Sequence, residues 1–279
     1  MIDIGANLSH DSFDADRDEV IAAAFTAGVE QIVVTGSSGP SNRDAVALSR
    51  KYPTRLFATA GMHPHYAADY NADLHREIGL SAADGAIVAV GECGLDYYRN
   101  LSSPKDQQQA FEAQLDIAEQ TGLPLFLHQR DAIDDFARIL APRRSRLGQA
   151  IAHCFTGQRD ELEVLLDLDL SIGITGWICD ERRGLHLREL VRDIPPERLM
   201  IETDAPYLLP RTLRPKPKTR RNEPKWLGEV ARVVAQSLDM PTAELGALTT
   251  ANARRFFALP APAGATASQQ PAPAPPIQP

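Results

Sequence analysis

Only three cysteines, Cys93, Cys154 and Cys179, occur in this 279-residue chain. They show no metal-binding spacing and cannot all pair, which excludes a disulfide framework and suits a reducing, cytoplasmic setting. No apolar run is long enough to cross a bilayer, so no membrane span is expected. The chain passes from Met1 straight into a strand-like segment, with neither a basic leader nor an apolar signal core, and secretion is not expected. Positive charge is in deficit: the net charge is −8, which argues against a protein that coats nucleic acid through a broad basic surface. Finally, no glycine-rich dinucleotide fingerprint and no P-loop follows any strand-like run.

What the chain does have is rhythm. Eight short apolar runs cover residues 1–8, 31–37, 56–64, 86–96, 124–130, 149–155, 170–177 and 199–207. Segments of helical periodicity lie between them, for example 16–27, 41–51, 107–120, 131–140 and 160–168, with 223–237 and 243–257 following the last run. Near-continuous Val, Ile, Leu and Ala in the runs reads as parallel strands buried on both faces. Eight such units in about 250 residues predict a closed (β/α)8 TIM barrel over 1–259. From residue 260 onward the chain turns to Pro, Ala, Gln and Ser and has too little apolar surface for a core, so 260–279 is expected to be a disordered tail.

Several runs end in a metal-binding or titratable side chain instead of a turn residue. Glu92 in GECGLD, His128 in LFLHQRD and His153 in IAHCFTG each follow a strand-like run, and Asp204 in IETDAPY follows another. All strands of a parallel barrel point their C-terminal ends to one face, where enzymes of this fold place their chemistry. Any one such His would read as a hydrogen-bonded core residue. Two His and two carboxylates at equivalent strand ends read as a divalent-metal centre with Asp204 as a further ligand or a proton acceptor.

Alternation along the strands sorts the neighbours. Arg130 shares a face with His128 and sits farther out, where a guanidinium could clamp a phosphate. Cys93 and Cys154 directly follow proposed ligands and are expected to point away as buried thiols. Phe155, Trp177 and Tyr207 are candidates for stacking on bases. In GMHPH, Pro64 stops the ladder and should present at least one of His63 and His65 to the cleft, His63 being favoured as a contact to substrate phosphate or to metal-bound water, with a buried hydrogen-bonding role as the alternative. A basic stretch, 211–221, carries Arg211, Arg214, Lys216, Lys218, Arg220 and Arg221. Its place after the Asp204 strand makes it a candidate to hold a polyanion, with Arg221 among the substrate contacts.

The motifs DIGANL, GMHPH, GECGLDYYRN, HQRDA, HCFTG, GITGWICDERRG, IETDAPYLLPR and RRNEP together resemble the TatD family of metal-dependent deoxyribonucleases, over essentially 1–257. The long forms GITGWICDERRG and DAPYLLPR resemble the TatD branch proper. The resemblance implies a cytoplasmic barrel nuclease that removes nucleotides from the 3′ ends of single-stranded DNA and RNA, with a role in repair of oxidative damage. It makes Glu92, His128 and His153 the metal ligands, Asp204 the group that activates water or holds a further cation, and His63 a substrate and catalytic contact. It also implies Mg²⁺, whereas ligand chemistry alone favours Mn²⁺ or Zn²⁺ at a two-His site. A monomer is expected. One departure stands out: Gly5 and Asn7 occupy the positions of the His-x-His pair that wider TatD-like hydrolases carry on the first strand, which weakens a second metal site. The rival readings are a small-molecule hydrolase of the amidohydrolase type, which the same barrel supports, and a non-catalytic nucleic-acid-binding scaffold.

Overall fold

The computed structural model describes residues 1–261; the expected tail, from 262 on, lies outside the described residues. Eight strands, β1 (Ile2–Ala6), β2 (Gln31–Val34), β3 (Leu56–Ala60), β4 (Ala89–Asp96), β5 (Leu125–Arg130), β6 (Ala150–Ala152), β7 (Ser171–Ile174) and β8 (Leu199–Ile201), form one sheet in sequence order. Every neighbouring pair is parallel. The helices are α1 (Arg17–Thr26), α2 (Gly39–Lys51), α3 (Ala72–Ala83), α4 (Pro104–Thr121), α5 (Ile133–Leu140), α6 (Arg159–Asp167), α7 (Leu187–Leu190), α8 (Leu227–Ser237) and α9 (Thr242–Phe257). This is the (β/α)8 barrel that the strand rhythm predicts. The strands are shorter than the apolar runs, because the segments leaving β3, β6, β7 and β8 toward the mouth are themselves buried.

Local signals set the helix starts. Ser38 caps α2 in a reciprocal box with Ser41, and Ser103 accepts from the Asp106 N–H at the start of α4 behind Pro104. Alternation divides the core in two. Ile32, Val34, Leu125 and Leu127 face the helix ring, while Ile2, Ile4, Val33, Phe126, Ile151 and Met200 fill the barrel and meet Phe256 and Phe257 of α9 at its floor. Gln31 Nε2 donates to the Pro260 carbonyl at 2.8 Å, tying down the end of the domain. Among the described residues no helix is long and apolar enough to cross a membrane.

β8 is short, and the barrel closes through the residues that follow it. Asp204 N–H donates to the Gly5 carbonyl at 2.8 Å, Asn7 N–H donates to the Ala205 carbonyl at 2.7 Å, and Ala6 bridges Ala205 in parallel. Beneath this seam, Asp3 accepts from the Thr203 N–H at 2.9 Å and from the Thr203 hydroxyl at 2.5 Å. Asp3 is fully buried, and burial, helped by the nearby Glu202 charge, pushes its carboxyl up to about 7 against the lowering effect of those bonds.

A carboxyl raised in the folded state stabilises the fold below its unfolded value and loses that contribution as pH climbs through the folded value. For Asp3 the window runs from 3.8 to about 7. Asp3→Asn should therefore gain on the wild type between pH 5 and pH 8 by about 2–3 kcal/mol. Chemical denaturation in chelator at the two pH values measures this, and parallel stability curves would refute it.

Candidate metal centre

Five strands, β3, β4, β5, β6 and β8, deliver imidazoles and carboxylates to the barrel mouth. β4 carries Glu92 and, farther along, Asp96, both buried. Gly94 lies between them at φ 141°, and a Cβ there would collide with the His128 carbonyl, so β4 can press against β5 only with glycine at this point. His128 and Arg130 project from β5 two residues apart, on one face. His153 and Asp204 lie just beyond the ends of β6 and β8, and His63 just beyond β3.

Three imidazole nitrogens converge on one oxygen. Glu92 Oε1 lies 2.7 Å from His153 Nε2, 3.1 Å from His128 Nδ1 and 3.3 Å from His63 Nε2. His63, Glu92 and His128 offer ligand atoms that all lie within 4.8 Å of one another. The outer nitrogens then separate the roles. His153 Nδ1 faces Glu202 Oε2 at 3.4 Å. His128 Nε2 is 3.4 Å from Asp96 Oδ2 yet has no aligned hydrogen-bond partner among the described residues. A carboxylate behind the outer nitrogen is the arrangement that turns an imidazole lone pair toward a metal. His63 is wired differently: its Nδ1 accepts the His65 N–H at 3.0 Å, which leaves the ring hydrogen on Nε2 and makes it a donor. Donor separations near 3 Å are what neighbouring ligands show at metal bonds of about 2.0–2.2 Å. Glu92, His128 and His153 carry the donor chemistry that a divalent cation takes, while the set whose ligand atoms all lie within 4.8 Å of one another is His63, Glu92 and His128.

The carboxylates draw protons onto the imidazoles, protons that a divalent cation would displace on binding. Burial works against ionising Glu92, but the His63 and His153 charges and the bonds from His128 and His153 outweigh it and hold the carboxyl well below the usual range. Burial likewise opposes charge on His153 and His128. Glu92 and Glu202 nevertheless raise His153 well above its ordinary value, and Asp96 and Glu92 raise His128. His63 goes the other way, down to about 4, chiefly through burial, so it is neutral at neutral pH.

Asp204 stands beside this group. Its Oδ1 accepts from Asn7 Nδ2 at 2.9 Å. Burial pushes its carboxyl up to about 7; His153 and Asn7 oppose the shift, and the Glu92 and Glu202 charges add to it. Like Cys154 (φ 49°), Asp204 (φ 52°) sits in the left-handed region, a backbone geometry that non-glycine residues adopt seldom and often at functional sites. Gly5 has a definite function too: a Cβ there would overlap Glu202 Oε2, so the carboxylate of Glu202 occupies the space that a side chain on β1 would take.

Arg130 lies across the Tyr98 ring, its guanidinium carbon 3.9 Å from the ring centre, with the Trp177 ring at 6.0 Å. Arg221 is engaged differently. It forms a bidentate pair with Asp16 at 2.8 and 2.6 Å, reaches Glu223 at 3.1 Å and donates to the Ser12 carbonyl at 2.7 Å, so it anchors the basic loop. Arg211, Arg214, Lys216, Lys218 and Arg220 are exposed. Of the stacking candidates, Phe155 is buried in the core, whereas Trp177 is partly exposed and Tyr207 about half exposed.

The expectation for the thiols divides. Cys93 is buried as expected. Cys154 is only partly buried: β6 ends at Ala152, strand alternation no longer applies, and the Sγ lies 3.7 Å from Thr175 Oγ1, with burial first and then the Asp204, Glu202 and Glu92 charges raising its pKa well above the ordinary value. Two residues of the centre, Asp96 and Glu202, escaped the sequence reading. Each is an even step from a residue that was singled out, Asp96 four after Glu92 and Glu202 two before Asp204, and that spacing was the available signal. His65 also joins, with Nε2 2.9 Å from Asp96 Oδ2.

Comparison with known proteins places this geometry. The family model for TatD related DNase matches residues 2–258. A Pectobacterium parmentieri protein named 3′-5′ ssDNA/RNA exonuclease TatD is 48% identical over 259 residues, covering 93% of this chain and 100% of the relative. A Salmonella typhimurium protein of the same name is 48% identical over 257 residues, covering 92% and 98%. Among solved structures, a TatD homolog from Escherichia coli has a TM-score of 0.84 at 26% identity, covering 93% of this chain and 98% of that one. A TatD family hydrolase from Entamoeba histolytica has a TM-score of 0.83 at 25% identity, covering 92% and 97%. On fold, site and sequence together, the chain belongs to the TatD-related DNase family.

Proposed function

We propose that this protein is a divalent-metal-dependent 3′-5′ exonuclease that hydrolyses phosphodiester bonds of single-stranded DNA and RNA, acting as a cytoplasmic monomer on damaged or frayed ends during repair. The observation that carries the reading is the convergence of His128 and His153 on Glu92 Oε1, each backed by a second carboxylate. The curated relatives carry that exonuclease name over the full domain. Glu92, His128 and His153 would hold the cation, Mg²⁺ first and Mn²⁺ or Zn²⁺ as alternatives, with Asp204 as a further ligand or proton acceptor. The ion supplies Lewis-acid polarisation of the phosphodiester and acidifies nearby water.

The chain's own residues do the rest. Asn7 holds Asp204 Oδ1 and leaves Oδ2 to take the proton of the attacking water. His63 Nε2 donates to a non-bridging phosphate oxygen, a role its neutral, Nδ1-accepting state prepares. Arg130 grips an adjacent phosphate. Phosphate contacts position without reading sequence, so sequence preference should be slight.

With 3′-labelled and 5′-labelled single strands and Mg²⁺, label should leave the 3′ end first, and chelator should abolish cleavage. His128→Ala and Asp204→Asn should each lower kcat/KM at least about 100-fold. Chelator-resistant cleavage, or full activity of His128→Ala, defeats the mechanism; loss of 5′ label first defeats only the direction. A second experiment addresses the small-molecule hydrolase alternative. Replacing Arg211, Arg214, Lys216 and Lys218 by Gln should raise KM for oligonucleotides about ten-fold and flatten its salt dependence. Unchanged KM and salt slope would mean that the loop does not serve a polyanion.

A further inference from the structure

The nuclease reading gives Arg130 a phosphate but leaves its surroundings unexplained. Arg130 is only partly exposed, and its guanidinium makes no hydrogen bond or ion pair among the described residues. Two aromatic rings hold it instead, Tyr98 at 3.9 Å and Trp177 at 6.0 Å. On Trp177 a second guanidinium, Arg183, lies 4.3 Å from the ring centre. Tyr98, Arg130, Trp177 and Arg183 therefore form one cluster of rings and cations contributed by the end of β5 and the segments after β4 and β7.

Asp180 organises the far end. It is buried, its Oδ2 accepts from Arg183 Nε at 3.1 Å and its Oδ1 accepts from the Arg182 N–H at 2.9 Å, while Arg211 Nε of the basic loop lies 3.7 Å away. One carboxylate thus gathers three arginines at the mouth. Tyr98, by contrast, is 60% exposed, an unusual position for a large ring that packing does not need.

The position of the cluster gives it a job. Arg130 follows His128 by two residues on the same face of β5, about 6.6 Å farther out along the strand. A strand whose scissile phosphate lies at Glu92, His128 and His153 passes next over Arg130, with its neighbouring base at the level of Tyr98 and Trp177. Aromatic faces flanked by cations bind any base by stacking, and only an unpaired base can reach them.

Resting on the nuclease reading, we infer that Tyr98, Trp177 and Arg183, with Asp180 as a positioning residue, form a stacking subsite for the unpaired base next to the scissile phosphate, and that this subsite selects single strands. Tyr98 and Trp177 contribute the planes, Arg130 the phosphate grip, and Arg183 the backing cation.

The test reads binding in chelator, apart from catalysis. Full-length protein is titrated against two labelled decamers with the same phosphates, oligo-dT and an abasic strand, by fluorescence anisotropy. Oligo-dT should bind about ten-fold more tightly than the abasic strand. Tyr98→Ala and Trp177→Leu should each reduce that ratio several-fold, and Tyr98→Phe, which keeps the ring, should retain it. In Trp226→Phe protein, where Trp177 is the remaining tryptophan, oligo-dT should quench emission and the abasic strand should not. Equal affinity for the two strands, a ratio untouched in the Ala and Leu variants, or its loss in Tyr98→Phe would overturn the inference. Adding Mg²⁺ to the same wild-type mixture tests the nuclease reading separately: failure to shorten oligo-dT sinks that reading whatever the ratio, and shortening with equal affinities sinks the subsite alone.

Discussion

The whole mouth of the barrel depends on a single anionic oxygen, Glu92 Oε1. Three imidazoles brought within 3.3 Å of it, from β3, β5 and β6, would repel one another if charged and would be costly to bury if left unpaired. One carboxylate resolves both problems. It draws protons onto His128 and His153, which a divalent cation would displace, while burial keeps His63 neutral. Asp96 and Glu202, behind the outer nitrogens, fix which edge of each ring faces inward. Glycine at position 94 is the backbone condition for all of this, because it lets β4 lie against β5 closely enough for Glu92 to reach His128.

The closing seam is the second constraint. β8 supplies only three residues of strand, and closure falls to Asp204, Ala205 and Asn7, residues that also shape the reaction face. The Gly5 position shows how the interior adapts: without a side chain on β1 there, Glu202 moves into the space and serves His153. The absence of a side chain at Gly5 therefore leaves room for a carboxylate that backs His153.

Much of this was legible in the chain. Strands buried on both faces must be nearly continuous apolar runs, so their number, order and parallel sense follow from the rhythm alone. Their ends are harder to read, because the exits toward the mouth are buried too. That is why Cys154, one residue past His153, was expected to face the helices and instead lies by the carboxylates. Glu92, His128, His153 and Asp204 were readable as strand-end donors; Asp96 and Glu202 followed from the same even spacing but were overlooked. Partners distant in sequence could not be read. Arg221 meets Asp16 across 205 positions, and nothing local marks it as an anchor. The cluster of Tyr98, Arg130, Trp177 and Arg183 assembles from a strand end and two separate loops and appears only in three dimensions.

The seam joins the first strand to the segment after the last, with Asn7 gripping Asp204 across 197 positions. A ribosome releases these two partners at opposite ends of synthesis. The growing polypeptide carries Glu92, His128 and His153 well before Asp204 has been added, so a partly made chain has no partner with which to close the seam. Topology thereby leaves the barrel mouth open until the segment after the last strand has been translated.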